Sequence, residues 1–284
     1  MTTISEDQGA ERQSMRLARR QGAFGPAYPD YGWVPSPRYI MRRDRIMRLL
    51  ADMPPGRAIE VGCATGALLS ELADMGFSCT GLETSPAANR TALSLNGGKI
   101  RIAAAPDPAW QSSFDYLFAF EVIEHIEDDV RALADWAGWL KPGGLAVISA
   151  PADPDRWNGS DVWAGHFRRY ARSTLAAALD AAGFVVERIE TYGFPLANMI
   201  ESMRAGRDRR YLEMTPAEIA ESQAANSARS GVDRSIETRL FPYYARFPGS
   251  IILHTANLMQ RAFLQAPWGN GLIAIARKRE APGE

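Results

Sequence analysis

Strands and helices alternate in the hydrophobic pattern between about residue 57 and residue 190. Short apolar runs typical of buried strands are separated by stretches with helical periodicity. The predicted strands are residues 58–61, 78–82, 99–103, 115–120, 145–150 and 185–189. The predicted helices between them are residues 67–74, 86–95, 128–140 and 174–182. This alternation predicts a parallel α/β sheet that is covered by helices on both faces.

A helical insertion is predicted before a last strand. Residues 272–276 form a short apolar run, but about eighty residues separate them from the sixth predicted strand. Because a structureless loop of that length is rare in a compact domain, the segment must have elements of its own. Helical patterns over 216–227 and 251–264 agree with this. We therefore expect residues 195–268 to form a helical cap that contributes to substrate binding.

The amino-terminal part has a different character. An aromatic, proline-rich stretch leads into an amphipathic helix over 40–51, and we expect residues 23–52 to form a lid. The polar residues 1–22 are expected to be a disordered lead. Residues 53–194 together with 269–280 would then form the sheet domain.

Composition narrows the class of protein. At 46% hydrophobic residues the chain can bury a large core, and its net charge of −1 argues against a nucleic-acid partner. The two cysteines, Cys63 and Cys79, fit a reducing compartment better than a disulfide framework. No apolar run approaches the length that spans a membrane. A soluble, cytoplasmic protein is expected.

The first predicted strand runs into the turn Glu60-Val61-Gly62-Cys63-Ala64-Thr65-Gly66. Glycines permit such a sharp turn and let a ligand lie against the backbone at the edge of a sheet. Glu60 would repel a pyrophosphate but attract a cationic amino-acid tail. Glu83, at the end of the second strand, can accept hydrogen bonds from ribose hydroxyls. The pattern therefore favours a nucleoside with a positively charged tail over a dinucleotide.

Five segments in order resemble the class I S-adenosylmethionine (SAM)-dependent methyltransferases of the type 11 and type 12 kind. They are the turn at 59–66, Gly81-Leu82-Glu83, Phe114-Asp115, Glu121-Val122-Ile123-Glu124-His125-Ile126 and Leu140-Lys141-Pro142-Gly143-Gly144. The resemblance covers about residues 57–190. It implies a Rossmann-like, doubly wound sheet of seven strands, with the last strand antiparallel and inserted between the fifth and sixth.

The same resemblance implies SAM as cofactor and a set of residues that bind it. These are Glu60, Gly62, Cys63, Ala64, Gly66, Glu83, Ala104, Phe120 and Glu121. The sequence departs from the family pattern at two places. The family usually has glycine where Ala64 stands, and it usually has an acidic residue after the third strand, where this chain has alanines.

Glu121, Glu124 and His125 follow the fourth predicted strand, where acceptor chemistry is expected. If this segment is helical, the three side chains share one face. It is similar to the metal-binding segment of the ubiquinone-pathway O-methyltransferases. It is also similar to that of the 3′-terminal small-RNA 2′-O-methyltransferases, in which a downstream histidine, here His166, is a further ligand.

Three roles stay open for these four residues. A divalent metal (Mg, Mn, Fe or Zn) on Glu121, Glu124, His125 and His166 would hold a substrate hydroxyl and lower its pKa. His125 or His166 could instead act directly as an acid or base. The third role is a purely structural one.

Two further groups are candidates for substrate binding. Arg168, Arg169 and Tyr170 form a basic, aromatic segment that could hold a carboxylate or phosphate, or could be a solvated approach to a helix. Tyr28, Tyr31 and Trp33 could cover the pocket or could seal a minor core.

The leading hypothesis is a SAM-dependent methyltransferase that acts on an oxygen, or a nitrogen, of a small-molecule acceptor from specialised metabolism. One alternative is 2′-O-methylation of an RNA 3′ terminus, against which the near-neutral charge argues. Another is a SAM-binding interaction module without chemistry. The expected partner is a small acceptor rather than a nucleic acid, and a homodimer is left open.

Overall fold

Seven strands form the central sheet of the structure, a computed structural model that describes residues 20–96, 98–230 and 234–280. The strands in chain order are β1 (Arg20–Gly22), β2 (Gly25–Ala27), β3 (Arg57–Val61), β4 (Ser78–Leu82), β5 (Arg101–Ala103), β6 (Phe114–Phe120), β7 (Leu140–Pro151), β8 (Phe184–Tyr192) and β9 (Gly271–Lys278). The helices are α1 (Pro37–Leu50), α2 (Ala67–Asp74), α3 (Pro86–Asn96), α4 (Asp129–Trp139), α5 (Gly159–Ala164), α6 (Arg172–Ala181), α7 (Leu196–Arg207), α8 (Pro216–Ser230), α9 (Ser235–Tyr244) and α10 (Gly249–Ala262).

The sheet has the strand order β5-β4-β3-β6-β7-β9-β8. β9 is antiparallel to both of its neighbours, β7 and β8, whereas the pairs formed by β3, β4, β5, β6 and β7 are parallel. This confirms the predicted Rossmann-like fold with an antiparallel last strand between the fifth and sixth. Because parallel strands end at the same edge, the segments that follow β3, β4, β5 and β6 meet there.

The core lies on both faces of the sheet. β6 has five consecutive buried residues, from Tyr116 to Phe120, because helices cover the strand on each side. Ile59 and Leu117 belong to the cluster on one face, and Ala58 and Phe118 to the cluster on the other. Neighbouring side chains along each strand therefore lie on opposite faces of the sheet.

The amino-terminal segment is more ordered than its sequence predicts. Residues 20–22 form β1, paired with β2, so the prediction of a disordered lead is wrong for these three residues. Residues 1–19 lie outside the described residues. α1 begins at Pro37 rather than at residue 40, because the Ser36 hydroxyl accepts a hydrogen bond from the Tyr39 amide at 3.3 Å and proline suits the first helical turn.

The last helix of the 195–268 segment packs on α1. Leu253 lies in a buried cluster with Phe24 and Ile40, and the Gln260 side chain donates a hydrogen bond to the Met41 carbonyl at 2.9 Å. α10 is therefore joined to the amino-terminal helix. None of the described helices is both long and apolar enough to cross a membrane.

Candidate active site

The glycine turn lies between β3 and α2, at the carboxyl edge of the sheet. Gly62 and Gly66 both have left-handed backbones, with φ of 65° and 68°. A Cβ atom at Gly62 would lie 2.7 Å from Val122, which belongs to the segment after β6. The turn can approach that segment so closely only because residue 62 is glycine.

Glu83 joins the turn to the loop after β4. Its carboxylate accepts hydrogen bonds from the Ala64 amide at 2.9 Å and from the Ser85 amide at 2.8 Å. Each carboxylate oxygen can accept a further bond, as ribose hydroxyls would require. Ala104, exposed after β5, and Phe120, at the end of β6, lie at the same edge. The geometry is compatible with the predicted cofactor set, whose members stay predictions.

Ala64 has a left-handed backbone, with φ of 48°. An L-residue with a side chain is disfavoured in this region, and glycine is not. The departure from the family pattern at this position therefore leaves the shape of the turn intact and adds backbone strain.

Glu60 is 6% exposed, and its Oε2 has no hydrogen-bond partner among the described residues. Burial raises the pKa of this carboxyl to about 8, and the nearby charge of Arg42 only partly opposes the rise. A buried carboxyl with one unpartnered oxygen at the glycine turn fits a ligand that carries a cationic tail. Glu60, the glycine turn and Glu83 together fit SAM as the cofactor.

Glu121 belongs to a different network from the one predicted. Its carboxylate forms ion pairs with Arg38 at 2.6 Å and with Arg42 at 3.5 Å, both on α1. It also accepts hydrogen bonds from the Tyr192 hydroxyl at 2.8 Å and from the Ser149 hydroxyl at 3.0 Å. Burial alone would raise the pKa of Glu121, but the two arginine charges and these hydrogen bonds lower it to about 2.

The prediction that Glu121 shares a metal with Glu124, His125 and His166 therefore needs correction. The segment is not a continuous helix: Glu121 has a φ of 59°, and only residues 123–125 form a short 3₁₀ turn. Glu121 consequently does not share a face with the other two, and its carboxylate is held by arginines. The described metal-capable group consists of Glu124, His125 and His166 alone.

Glu124, His125 and His166 come together as predicted. One ligand atom from each lies within 4.8 Å of the others. Glu124 is completely buried, neither of its carboxylate oxygens accepts a hydrogen bond from another described residue, and burial raises its pKa well above the usual value. A buried carboxylate with two orphaned oxygens beside two imidazoles is a donor set that suits a divalent metal, since two histidines and one carboxylate leave coordination positions open.

Each of the two imidazoles has a hydrogen-bond partner outside the group of Glu124, His125 and His166. His166 Nδ1 lies 2.9 Å from an Asp161 carboxylate oxygen, which leaves Nε2 directed towards Glu124 at 4.0 Å. His125 is hydrogen-bonded to the Gly165 backbone, and burial, followed by the charge of His166, lowers its pKa to about 4. Partners of this kind fix the orientation of a ligating or proton-accepting imidazole.

The predicted clamp of Arg168, Arg169 and Tyr170 also needs correction. Arg169 is 7% exposed and its guanidinium is bound to Asp161 at 2.7 Å and to Glu201 at 2.7 Å. Arg168 pairs with Asp129 at 2.9 Å, and the Tyr170 hydroxyl donates to the same carboxylate. Because internal acids occupy these donors, the segment supports the Asp161–His166 pair instead of offering a free clamp.

The aromatic residues are divided. Tyr28 and Trp33 are buried and pack with Ala67, at the start of α2, so they line the glycine turn from the amino-terminal side. Tyr31 is 45% exposed. Burial of Tyr28 and Trp33 favours a minor core for these two residues, and only the exposed Tyr31 favours a lid over the acceptor. The substrate contacts of all three residues stay predictions.

Arg38, Arg42, Ser149, Tyr192 and Asp161 are site residues that the sequence did not reveal. Arg38 and Arg42 lie one turn apart on α1, and this spacing was the available signal, since it aligns two cations on one helix face. Their carboxylate partner could not be inferred without the turn at Glu121.

A family model described as a methyltransferase domain matches residues 37–189, more than half of the 284-residue chain. The chain is 31% identical over 103 residues to the ubiquinone biosynthesis O-methyltransferase of Rickettsia felis, a match over 34% of this chain and 42% of that protein. It is 32% identical over 114 residues to the protein of that name from Rhodopseudomonas palustris, over 37% of this chain and 44% of that one. The chain thus spans less than half the length of these curated relatives.

Among solved structures, a SAM-dependent methyltransferase from Mesorhizobium loti aligns with a TM-score of 0.51 and 18% identity, over 85% of this chain and 98% of that one. At this identity the likeness concerns the fold alone.

Proposed function

The chain belongs to the class I SAM-dependent methyltransferases, and on that premise we propose that it transfers the methyl group of SAM to a hydroxyl oxygen of a small-molecule acceptor. The observation that carries the proposal is the group of Glu124, His125 and His166, next to the segment that the glycine turn contacts. The names of the O-methyltransferase relatives favour oxygen over nitrogen. An acceptor from specialised metabolism is part of the proposal.

Methyl transfer from a sulfonium is an in-line displacement, so the protein must align the acceptor with the methyl group and remove its proton. The charge of Arg42 reaches both parts of the site, because it lowers the pKa of Glu60, Glu121 and Glu124. Glu60 and Glu83 would hold the cofactor on one side. The Asp161–His166 pair orients an imidazole nitrogen that can accept the acceptor's proton on the other.

We propose that a divalent metal is held by Glu124, His125 and His166. When bound there, the metal would bind the acceptor hydroxyl and make it more acidic. Asp161 and the Gly165 backbone would keep the two imidazoles aligned, and Glu124 would supply the negative charge. Without a metal, His166, which Asp161 orients, could accept the proton instead, whereas a pKa lowered to about 4 makes His125 a weak base.

Mass spectrometry with methyl-deuterated SAM tests the proposal on a panel of catechols and phenols. We expect a labelled methyl ether, with turnover reduced at least a hundredfold by Glu124→Gln or His166→Ala. His254→Ala is the control, because that histidine is exposed and contacts Phe24, away from Glu124 and His166 in the sequence. If a chelator does not change product formation and elemental analysis finds no metal, the proposed metal is wrong. The proposed methyl transfer would still stand.

A homodimer is proposed through the outer face of α9 and α10. Eight large apolar side chains on these helices and in the connection between them have exposed fractions between 44% and 82%: Ile236, Leu240, Tyr243, Phe247, Ile251, Ile252, Leu258 and Met259. At roughly 200 Å² for a fully exposed large side chain, they leave about 1,000 Å² open. That exceeds the patches usual on monomers and matches the area, about 800 Å², that one partner buries in a stable complex.

A further inference from the structure

A chain of charged side chains connects His166 with helix α7. His166 Nδ1 lies 2.9 Å from Asp161 Oδ1. The guanidinium of Arg169 binds both oxygens of the same carboxylate, with Nε 2.8 Å from Oδ1 and Nη2 2.7 Å from Oδ2. The remaining nitrogen of this guanidinium, Nη1, lies 2.7 Å from a carboxylate oxygen of Glu201, a residue of α7. Each of these contacts is therefore at hydrogen-bond distance.

The chain of contacts is shielded from water. Asp161 is 2% exposed and Arg169 is 7% exposed, and the side chain of Glu201 is 12% exposed. Buried charges are screened less than exposed ones, so Glu201 acts on Arg169 and Arg169 acts on Asp161. Hydrogen bonds in such a chain also polarise one another. The strength of Asp161 as an acceptor for His166 therefore depends on how the charge of Arg169 is shared between the two carboxylates.

This acceptor determines which nitrogen of His166 presents a lone pair to the site. A neutral imidazole has one N–H and one lone pair, and the partner of one nitrogen sets the role of the other. When Nδ1 donates its proton to Asp161, Nε2 has its lone pair on the side of Glu124, whose Oε1 is 4.0 Å away. Only this tautomer can accept a proton from an acceptor hydroxyl, or bind a metal, through Nε2.

We propose that Glu201 is a positioning residue, which acts through Arg169 and Asp161 to keep His166 in the Nδ1–H tautomer. The role of this tautomer rests on the proposed methyl transfer. Glu201 takes up part of the charge of the guanidinium, so Asp161 stays a strong acceptor for the imidazole N–H. Glu201 lies outside residues 37–189, which the methyltransferase domain model covers. Through this residue the segment 195–268 takes part in the chemistry of the site.

A second contact from the same segment reaches the other imidazole. The Gln223 side chain, on α8, donates a hydrogen bond to the Gly165 carbonyl at 3.3 Å. His125 is hydrogen-bonded to the backbone of that same glycine. Two helices of the segment therefore contact the groups that hold the two imidazoles, and the second contact is independent of Glu201.

Nitrogen-15 NMR of the metal-free, full-length protein tests the inference, because the shifts of the ring nitrogens distinguish the two tautomers. The chain has three histidines, so labelled histidine gives few signals, and His166→Ala assigns the signal of interest. Spectra are recorded at about pH 9, where histidine is ordinarily neutral. We expect the Nδ1–H form to dominate in wild type. In Glu201→Gln the Nε2–H form should become at least as abundant, because the charge of Arg169 then acts on Asp161 alone.

Three further variants separate this role from a structural one, with melting temperatures measured for each. Asp208→Asn removes another carboxylate that binds α5, through the Ser160 hydroxyl at 2.8 Å, and should leave the tautomer unchanged. Arg156→Gln removes the second cation beside Glu201, 3.2 Å away, and should also keep the wild-type tautomer. Glu201→Asp keeps the charge on a shorter side chain, so it is the milder substitution and should give an intermediate proportion.

Calorimetric titration with Zn²⁺ adds a second readout, since Nε2 would be the ligating atom. Zn²⁺ should bind roughly tenfold more weakly to Glu201→Gln than to wild type, as expected for a residue that orients a ligand. The affinity for S-adenosylhomocysteine (SAH) should stay within about twofold.

Three results would overturn the inference: an Nε2–H tautomer of His166 in wild type, an unchanged tautomer in folded Glu201→Gln, or an equal change in Asp208→Asn. The NMR measurement needs neither acceptor nor metal. Its failure is therefore distinguishable from a failure of the proposed methyl transfer, which would appear as the absence of a labelled methyl ether.

Discussion

Glu60 is the residue at which ligand binding and protonation should be coupled. Its pKa of about 8 keeps the carboxyl protonated at pH 7 while the site is empty of cations. A cationic ligand tail favours the ionised form, so binding should release a proton. We expect the heat of SAH binding at pH 7 to depend on the ionisation enthalpy of the buffer, and we expect Glu60→Gln to abolish that dependence. Buffer-independent heats in wild type would contradict the proposed contact.

The same residue predicts a pH dependence of stability. Because the folded-state pKa is raised above the unfolded value of 4.5, the contribution of Glu60 is fully present below pH 4.5 and is lost as the pH rises towards about 8. Glu60→Gln should therefore flatten the decline in melting temperature over this window. An identical decline in both proteins would show that Glu60 does not titrate there.

Ala64→Gly should stabilise the protein, by about 0.5–1 kcal/mol. The gain comes from relief of a left-handed backbone that costs an L-residue about 1–2 kcal/mol, less the added entropy of glycine in the unfolded chain. The matched control is Ala67→Gly, in the first turn of α2, which should cost up to about 1 kcal/mol. Urea unfolding measures both free energies. A loss for Ala64→Gly equal to that of Ala67→Gly would contradict the backbone assignment.

At the scale of residues, the sequence was informative where function depends on neighbours along the chain. Gly62, Gly66 and Glu83 lie at the predicted edge because their strands do. Glu124 and His125 follow β6 in the same way, whereas His166 follows α5 and joins them there. Glu121 was misassigned because its positive φ is not visible in the residue type. Arg169 was misassigned because its acidic partners come from distant segments.

At the scale of elements, Glu121 ties four pieces of the fold together. Arg38 belongs to α1, Ser149 to β7 and Tyr192 to β8, and all three bind the carboxylate that follows β6. Two arginines lose their shared partner if it is removed, and a pKa lowered from 4.5 to about 2 corresponds to about 3 kcal/mol. Glu121→Gln should therefore destabilise the protein by about that amount in urea unfolding.

The control for this variant is Glu187→Gln. Glu187 pairs with Arg277 at 2.5 Å, but both side chains are exposed, 41% and 53%, so its loss should cost less than about 1 kcal/mol. Equal effects of the two substitutions would mean that the Glu121 network does not hold α1 against the sheet.

The elements themselves were largely predictable, and the exceptions have physical causes. Apolar runs identified the seven strands of the sheet, most clearly β6, because a doubly covered strand is apolar throughout. α5 is only six residues long and offers too short a period to detect. α9 contains Pro242, a residue that argues against a helix interior, so its pattern was missed.

At the scale of the whole molecule, the open apolar face of α9 and α10 predicts self-association. Light scattering should give a dimer at micromolar concentration. A charged substitution in the centre of the face, Leu258→Glu, should give a monomer with little change in melting temperature, because this side chain is 61% exposed. Leu93→Glu, 53% exposed elsewhere, should remain dimeric. A wild-type monomer at all concentrations would contradict the proposed interface.

Cofactor binding at the glycine turn is the basis of every other role proposed for this molecule, and calorimetric titration with SAH tests it most directly. We predict that wild type binds SAH at a single site and that Glu83→Ala binds it at least tenfold more weakly, because a charged acceptor of the ribose hydroxyls is lost. The melting temperature of Glu83→Ala should be measured beside it, since that carboxylate also holds Ala64 and Ser85. Absence of SAH binding to wild type, or an unchanged affinity in a folded Glu83→Ala, would contradict the assignment.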